Sequence, residues 1–145
     1  MCVCVCVCVC ACVRVCVNDK CSFCAKERDT IQHYLWFCEH VQDFWNDFEA
    51  LMIAKCENCF RLKLNSELVL FGNDEKTKTN EGFEYILMLA KYFVYICKIN
   101  NIRPRICMFI NELKSQYKTD HLIHCMEMQL AHFHIKWLPY KRLIE

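Results

Sequence analysis

Four side chains near the start of this chain have the types and spacing of a metal site. They are Cys21, Cys24, His33 and Cys38, a C-x2-C-x8-H-x4-C array. Two cysteines three residues apart, in a tight turn, aim both sulfurs at one point. His33 and Cys38 are expected on a helix, about one and a half turns apart. A tetrahedral zinc ion takes four such ligands, with thiolate at roughly 2.3 Å and imidazole at roughly 2.0–2.1 Å. Three thiolates and one imidazole fill that shell without an open position, as in a structural rather than a catalytic site. The bland alternative is three reduced thiols and a solvated imidazole; the ordered His-Cys spacing argues against it. Cys56 and Cys59 repeat the C-x-x-C half without such partners and are expected to be ordinary thiols.

The elements that would position these ligands read as helical. Asp29 stands where a cap for the helix bearing His33 is needed, with Gln32 three residues on, as a capping box prefers. Val41, Phe44, Trp45, Phe48, Leu51 and Met52 recur at helical spacing directly after the last ligand. Their aromatic rings could stack nucleic-acid bases, but that spacing favours a core face. Leu68 to Phe71 is a short apolar run ended by Gly72, either strand-like or a buried turn, and 73–80 is a polar loop. Phe83 to Ile99 is apolar nearly all round and is expected to be a central buried helix. It is shorter and more charged than the roughly 20 apolar residues of a membrane span. Asn100 and Asn101 should end it, and Pro104 should open a last helix running from Arg105 to about Trp137, with a break near Thr119–Asp120. With two glycines and two prolines in 145 residues, sheets and tight turns are disfavoured. The expected fold is mainly α: a small CCHC zinc knuckle followed by a helical bundle.

Residues 1–17 are of another kind. They alternate cysteine and valine almost without interruption, as a translated TG dinucleotide repeat would. Met1, Ala11 and Arg14 are each one base change from that repeat. A thiol store is a poor reading, because alternation sends successive thiols to opposite faces of an extended chain. A secretory signal would need a charged start and an unbroken apolar run. The segment is therefore expected to be low complexity, disordered or strand-like, and without selected function. The chain divides into that repeat at 1–17, a knuckle region with its following helix at 18–60, and a helical region at 61–145.

Net charge is only +1, so no global basic field points to nucleic acid. The distribution is uneven, with nine basic and six acidic residues in 81–145. Of fifteen cysteines, seven lie in the repeat and three in the array, leaving an odd number. Buried free thiols in an intracellular, reducing compartment fit better than a disulfide scaffold.

The segment CSFC…DTIQHYLWFCEHVQDFW resembles the zinc-knuckle region near the C terminus of reverse-transcriptase polyproteins from LINE-type non-LTR retrotransposons. The similarity continues through VLFG at 69–72, LAKYFVYICK at 89–98, Pro104 and HIKW at 134–137, covering roughly residues 18–137. By resemblance, Cys21, Cys24, His33 and Cys38 correspond to the family's cysteine-histidine array. The resemblance implies a nucleic-acid-binding appendage of the polymerase. No YxDD-type pair for polymerisation occurs in the chain, so polymerase and endonuclease would lie upstream or be lost. The expectation is a polyprotein fragment that binds zinc and RNA or another single strand, with no enzymatic activity, membrane contact or small-molecule substrate. Its alternatives are a relic without function and a thiol-rich metal-binding protein.

Phosphate contacts, if made, would come from Arg103, Arg105, Lys136, Lys141 and Arg142, although cations near helix ends also suit the dipole. His121, His124, His132 and His134 match no H-E-x-x-H array and are expected to be solvated helix residues.

Overall fold

The computed structural model describes residues 19–56, 63–72 and 81–145. The N-terminal repeat, Cys59 and the polar loop at 73–80 lie outside the described residues. Five α-helices are present among those described: α1 Glu39–Lys55, α2 Ser66–Phe71, α3 Glu81–Ile99, α4 Ile106–Met126 and α5 Leu130–Trp137. A π-helical turn, His33–Phe37, precedes α1, and a 3-10 helix, Leu138–Leu143, follows α5. The mainly α expectation therefore holds, and extended pairing among the described residues is limited to one bridge, Lys20 with Arg28.

The periodic face read after Cys38 is the buried face of α1. Val41, Phe44, Trp45, Phe48 and Met52 are all buried. Phe44 packs on Phe93 of α3 and Phe109 of α4 with ring centroids 5.6 and 5.8 Å apart, so aromatic rings join three helices at the centre. The stretch at 68–71 is helical. Asn65 accepts from the Leu68 amide at 2.8 Å, and this N-cap turns a short apolar run into α2, with Leu68 and Val69 buried. Helix α3 is less enclosed than its composition suggested. Ile86, Ala90, Phe93, Val94 and Cys97 face the core, while Met88, Tyr92, Tyr95 and Ile99 form an exposed stripe. No helix among the described residues is long and apolar enough to cross a membrane.

Both long helices stop in the same way without glycine. Asn101 (φ 53°) and Met128 (φ 57°) take the left-handed conformation. After α3, Ile102 N–H donates to the Cys97 carbonyl and Asn101 N–H to Lys98; after α4, Gln129 donates to His124 and Met128 to Cys125. These are the paired bonds of a Schellman cap. The break in the C-terminal helix thus falls at 127–129 rather than at Thr119–Asp120. Pro104 lies just ahead of the N-cap Arg105, at the start of the helix that it should open.

Gly82 lets α3 approach the chain's end. A Cβ there would stand 2.4 Å from the Lys136 carbonyl oxygen and 2.7 Å from the Tyr140 ring. Gly82→Ala should therefore destabilise the fold by about 1–2 kcal/mol, because overpacking outweighs the gain in helix propensity at a helix's second residue. The urea midpoint measures this, and an unchanged or raised midpoint would contradict the close approach.

Candidate metal centre

The C-x-x-C turn is built by the backbone. Cys21 N–H donates to the Glu27 carbonyl at 2.8 Å, and Asp29 N–H donates to Asp19 at 2.8 Å, forming the rungs around the Lys20–Arg28 bridge. Within the loop, Ala25 N–H returns to the Cys21 carbonyl at 2.8 Å, with Ala25 in the left-handed region at φ 54°. The loop is tied outward by ion pairs from Arg28 to Asp19 (3.1 Å) and from Lys26 to Glu39 (2.7 Å).

The other two candidate donors sit at the ends of the π turn. On an ordinary α-helix, residues five apart are rotated by about 140° and face apart. The Cys38 amide instead donates to the His33 carbonyl at 2.7 Å, an i to i+5 bond, and this wider turn brings His33 and Cys38 to one side. Such turns are frequent at functional sites. Side chains of α1 take up the carbonyls that it presents. Trp45 Nε1–H donates to Leu35 at 2.7 Å, and the Gln42 amide donates to Trp36. Cys38 is then the extended N-cap residue of α1. The capping expectation for Asp29 is corrected: Thr30 Oγ1 accepts from the His33 amide at 3.1 Å. Asp29 pairs instead with Lys98 of α3 at 2.6 Å, and the same ammonium lies 4.9 Å from the Tyr34 ring centroid. The knuckle is thereby fastened to the bundle.

The four donor atoms all lie within 4.8 Å of one another. Cys21 and Cys38 sulfurs are 4.0 Å apart, and Cys24 Sγ is 3.3 Å from His33 Nε2. A tetrahedral ion at ordinary thiolate and imidazole bond lengths spaces its ligands by about 3.8 Å between sulfurs and about 3.6 Å from sulfur to nitrogen. The cluster could therefore hold a metal ion with little rearrangement. Cys21 and Cys38 are buried and Cys24 and His33 half-buried.

The electrostatics divide the thiols. Burial alone would raise the Cys24 thiol, but the backbone amides of Glu27 and Lys26, with His33 and Cys21, outweigh it and lower its pKa to about 6. Cys38 is pushed up to about 12, chiefly by burial and also by the two neighbouring sulfurs, against the favourable His40 amide. A divalent cation at the centre of the four donors would reverse the cause of that rise, since a coordinated thiol ionises outright.

The five basic residues singled out from sequence have different surroundings. Arg105, Lys141 and Arg142 are exposed. Arg103 is exposed but paired with Asp43 of α1. Lys136 is an internal residue: its ammonium is 3.0 Å from Asp120 Oδ2 and 3.2 Å from the Tyr85 ring centroid. Its charge is held inside the bundle and is not presented to a phosphate. Phe44, Trp45 and Phe48 are buried, whereas Phe37, on the turn between two ligands, is 59% exposed. Cys56 is buried at the end of α1. The histidines are not all solitary, since His124 and His132 meet across the α4–α5 hairpin. That contact depends on the turn at 127–129, which no sequence signal placed.

No family model, curated protein or solved structure matches this chain.

Proposed function

We propose that this chain is a zinc-stabilised helical module that binds single-stranded nucleic acid, RNA foremost, without polymerase activity of its own. The observation that carries the zinc assignment is the convergence of Cys21, Cys24, His33 and Cys38 within 4.8 Å. Three soft thiolates with one imidazole suit zinc better than magnesium or calcium, which prefer oxygen. The closed shell gives the ion a structural role.

The nucleic-acid reading draws on the resemblance to the retrotransposon knuckle region and on two surface features. Phe37 is exposed on the knuckle itself, and an exposed ring can stack a base of any sequence. Arg105, Lys141 and Arg142 are exposed cations on segments adjoining the bundle. A thiol store has less support. Cys56 and Cys97 are buried, Cys107 and Cys125 are exposed, and none joins a metal-donor group of three among the described residues.

The test is binding of labelled single-stranded RNA to the zinc-loaded full chain across salt. Affinity should fall with a slope of about −0.7 per phosphate contact. Replacing both Lys141 and Arg142 by Gln should flatten that slope by about 1.4, whereas Phe37→Ala should weaken binding at an unchanged slope. Zinc-loaded protein that binds no single strand at low salt would refute the nucleic-acid reading. Metal analysis giving one zinc per chain would leave the structural part standing by itself.

A further inference from the structure

The solvent face of α3 is apolar over most of its length. From Tyr85 to Ile99 its exposed side chains are Met88, Tyr92, Tyr95 and Ile99, none of them charged. Lys91 and Lys98 are half-buried at the edge of this stripe, and Lys98 is turned to Asp29. The opposite side of the helix, with Phe93 and Val94, is already in the core, so the stripe is a second apolar face. Positions 88, 92, 95 and 99 are separated by four, three and four residues. That is the narrow seam of a coiled coil rather than the broader stripe of a core-facing helix. A contiguous exposed apolar strip of this kind marks an interaction surface.

Spacing and charge say what fits it. The intervals of four, three and four read the same from either end, so the seam is complementary to itself. A two-fold axis midway between Tyr92 and Tyr95 sets Tyr92 against Tyr95 of a second copy and Met88 against its Ile99. Charge selects this antiparallel orientation. Glu81 and Glu84 are exposed in the first turn of α3, and a parallel pairing would bring four carboxylates together. The antiparallel one separates them, carries them toward the end of the other helix with Lys98 and Arg103, and opposes the two helix dipoles. A groove of about 260 Å³ opens beside the seam, with Tyr92, Ile96, Ile102 and Met108 in its walls. The same register brings Met88 of the second copy to it, an unbranched side chain suited to irregular gaps. A nucleic-acid strand fits less well, because from Met88 to Ile99 the stripe exposes no cation for its phosphates.

We propose that this chain self-associates through α3, two copies pairing antiparallel along Met88, Tyr92, Tyr95 and Ile99. Four side chains and one groove per copy cover less than the roughly 800 Å² per partner of a standard interface, so the dimer is weak and concentration-dependent. The seam shares no residue with the four metal donors or with Phe37, Arg105, Lys141 and Arg142. It therefore stands apart from both the zinc and the nucleic-acid readings.

The experiment is sedimentation equilibrium of the zinc-loaded full chain, under reductant and without nucleic acid, over a range of loading concentrations. The mass should rise with concentration from one chain to two and stop there. Tyr92→Lys and Tyr95→Glu should each weaken association by about tenfold or more, since each puts an unpaired charge at the centre of the contact. The double variant should recover part of the loss, because only antiparallel pairing sets Lys at 92 against Glu at 95 of the other copy. Both tyrosines are exposed, at 58% and 45%, so these variants should fold, and circular dichroism checks that they do. A parent that stays a single chain at every concentration would overturn the proposal. Association that survives folded Tyr92→Lys protein would also overturn it, placing the contact on another surface such as the N-terminal repeat. So would a double variant no better than the singles. If the parent is a single chain and Tyr92→Lys changes only RNA affinity, the stripe is a base-stacking surface and the dimer is refuted while the nucleic-acid reading stands.

Discussion

If the four donors hold zinc as proposed, a strong chelator should unfold the segment from Asp19 to Phe37 and loosen the packing of α1 with it. A structural zinc site that forms on folding is worth about 10–16 kcal/mol at neutral pH. The total stability of an ordinary domain is about 5–15 kcal/mol, so the metal-free chain has little left to hold this region. The damage should spread because the ligands belong to the core. Cys21 and Cys38 are 1% and 0% exposed, and Cys38 is also the N-cap residue of α1. The buried Trp45 indole depends on the π turn for its acceptor, the Leu35 carbonyl at 2.7 Å. Near-ultraviolet dichroism of the tryptophans should collapse on chelation and return on adding zinc. Cys38→Ser should reproduce the chelated state at zinc concentrations that saturate the parent. A chelated chain that kept its tryptophan signal and its thermal midpoint would show that the four donors are not a structural site.

The knuckle was legible because its ligands carry chemistry at short sequence separation. Two thiols three apart and a following His-Cys pair point to a four-donor set whatever the geometry between them. One part of that geometry is not carried by the sequence. The pattern reads as a regular helix, where five positions turn side chains apart, and a π turn is what lets them meet. Propensity does not distinguish these turns; the choice rests on Gln42 and Trp45 reaching back for the turn's carbonyls. The core face of α1 was legible because Phe44, Trp45 and Phe48 repeat at helical spacing. Helix α2 was not. Its four apolar residues fit either period, and only the Asn65 cap resolves them.

The C-terminal hairpin was the least legible part, for a definite reason. Its turn uses Met128 in a conformation that glycine usually supplies, so no glycine marks it. Asp120 supplied a false signal, because an aspartate inside a helical pattern looks like an N-cap. Its actual position is the interior, 6% exposed, and the misplacement hid two consequences. With the break at 119–120, Lys136 is one more cation near a helix end and the histidines fall along one helix. With the break at 127–129, α5 folds back on α4, Lys136 meets Asp120, and His132 meets His124.

Asp120→Ala should be among the most damaging single substitutions in the helical region, costing about 3–5 kcal/mol. Four donors converge on this one carboxylate. Oδ1 accepts from Tyr85 and Gln116, each at 3.1 Å; Oδ2 accepts from Lys136 at 3.0 Å and Trp137 at 3.1 Å. Truncation leaves a largely buried ammonium without its counter-charge and a buried indole N–H without an acceptor, and breaking such a pair from one side has that magnitude. Lys136→Met should cost less, because Asp120 keeps three donors. The double variant should therefore be less destabilised than the two losses added together. The same residue gives the effect a pH dependence of known sign. Burial would raise the Asp120 pKa, but the hydrogen bonds from Lys136, Trp137 and Tyr85 outweigh it and hold it below the ordinary value. A carboxylate whose folded pKa is depressed contributes stability above its unfolded pKa, about 3.9, and loses it as pH falls through the folded value. Urea unfolding of parent and Asp120→Ala protein should thus give midpoints far apart at neutral pH that draw together below about pH 4. A cost under about 1 kcal/mol at neutral pH would match a surface ion pair and return Lys136 to the candidates for phosphate contact. The RNA assay checks the same assignment from the other side, since Lys136→Met should leave the salt slope unchanged, whereas loss of a phosphate contact would flatten it by about 0.7.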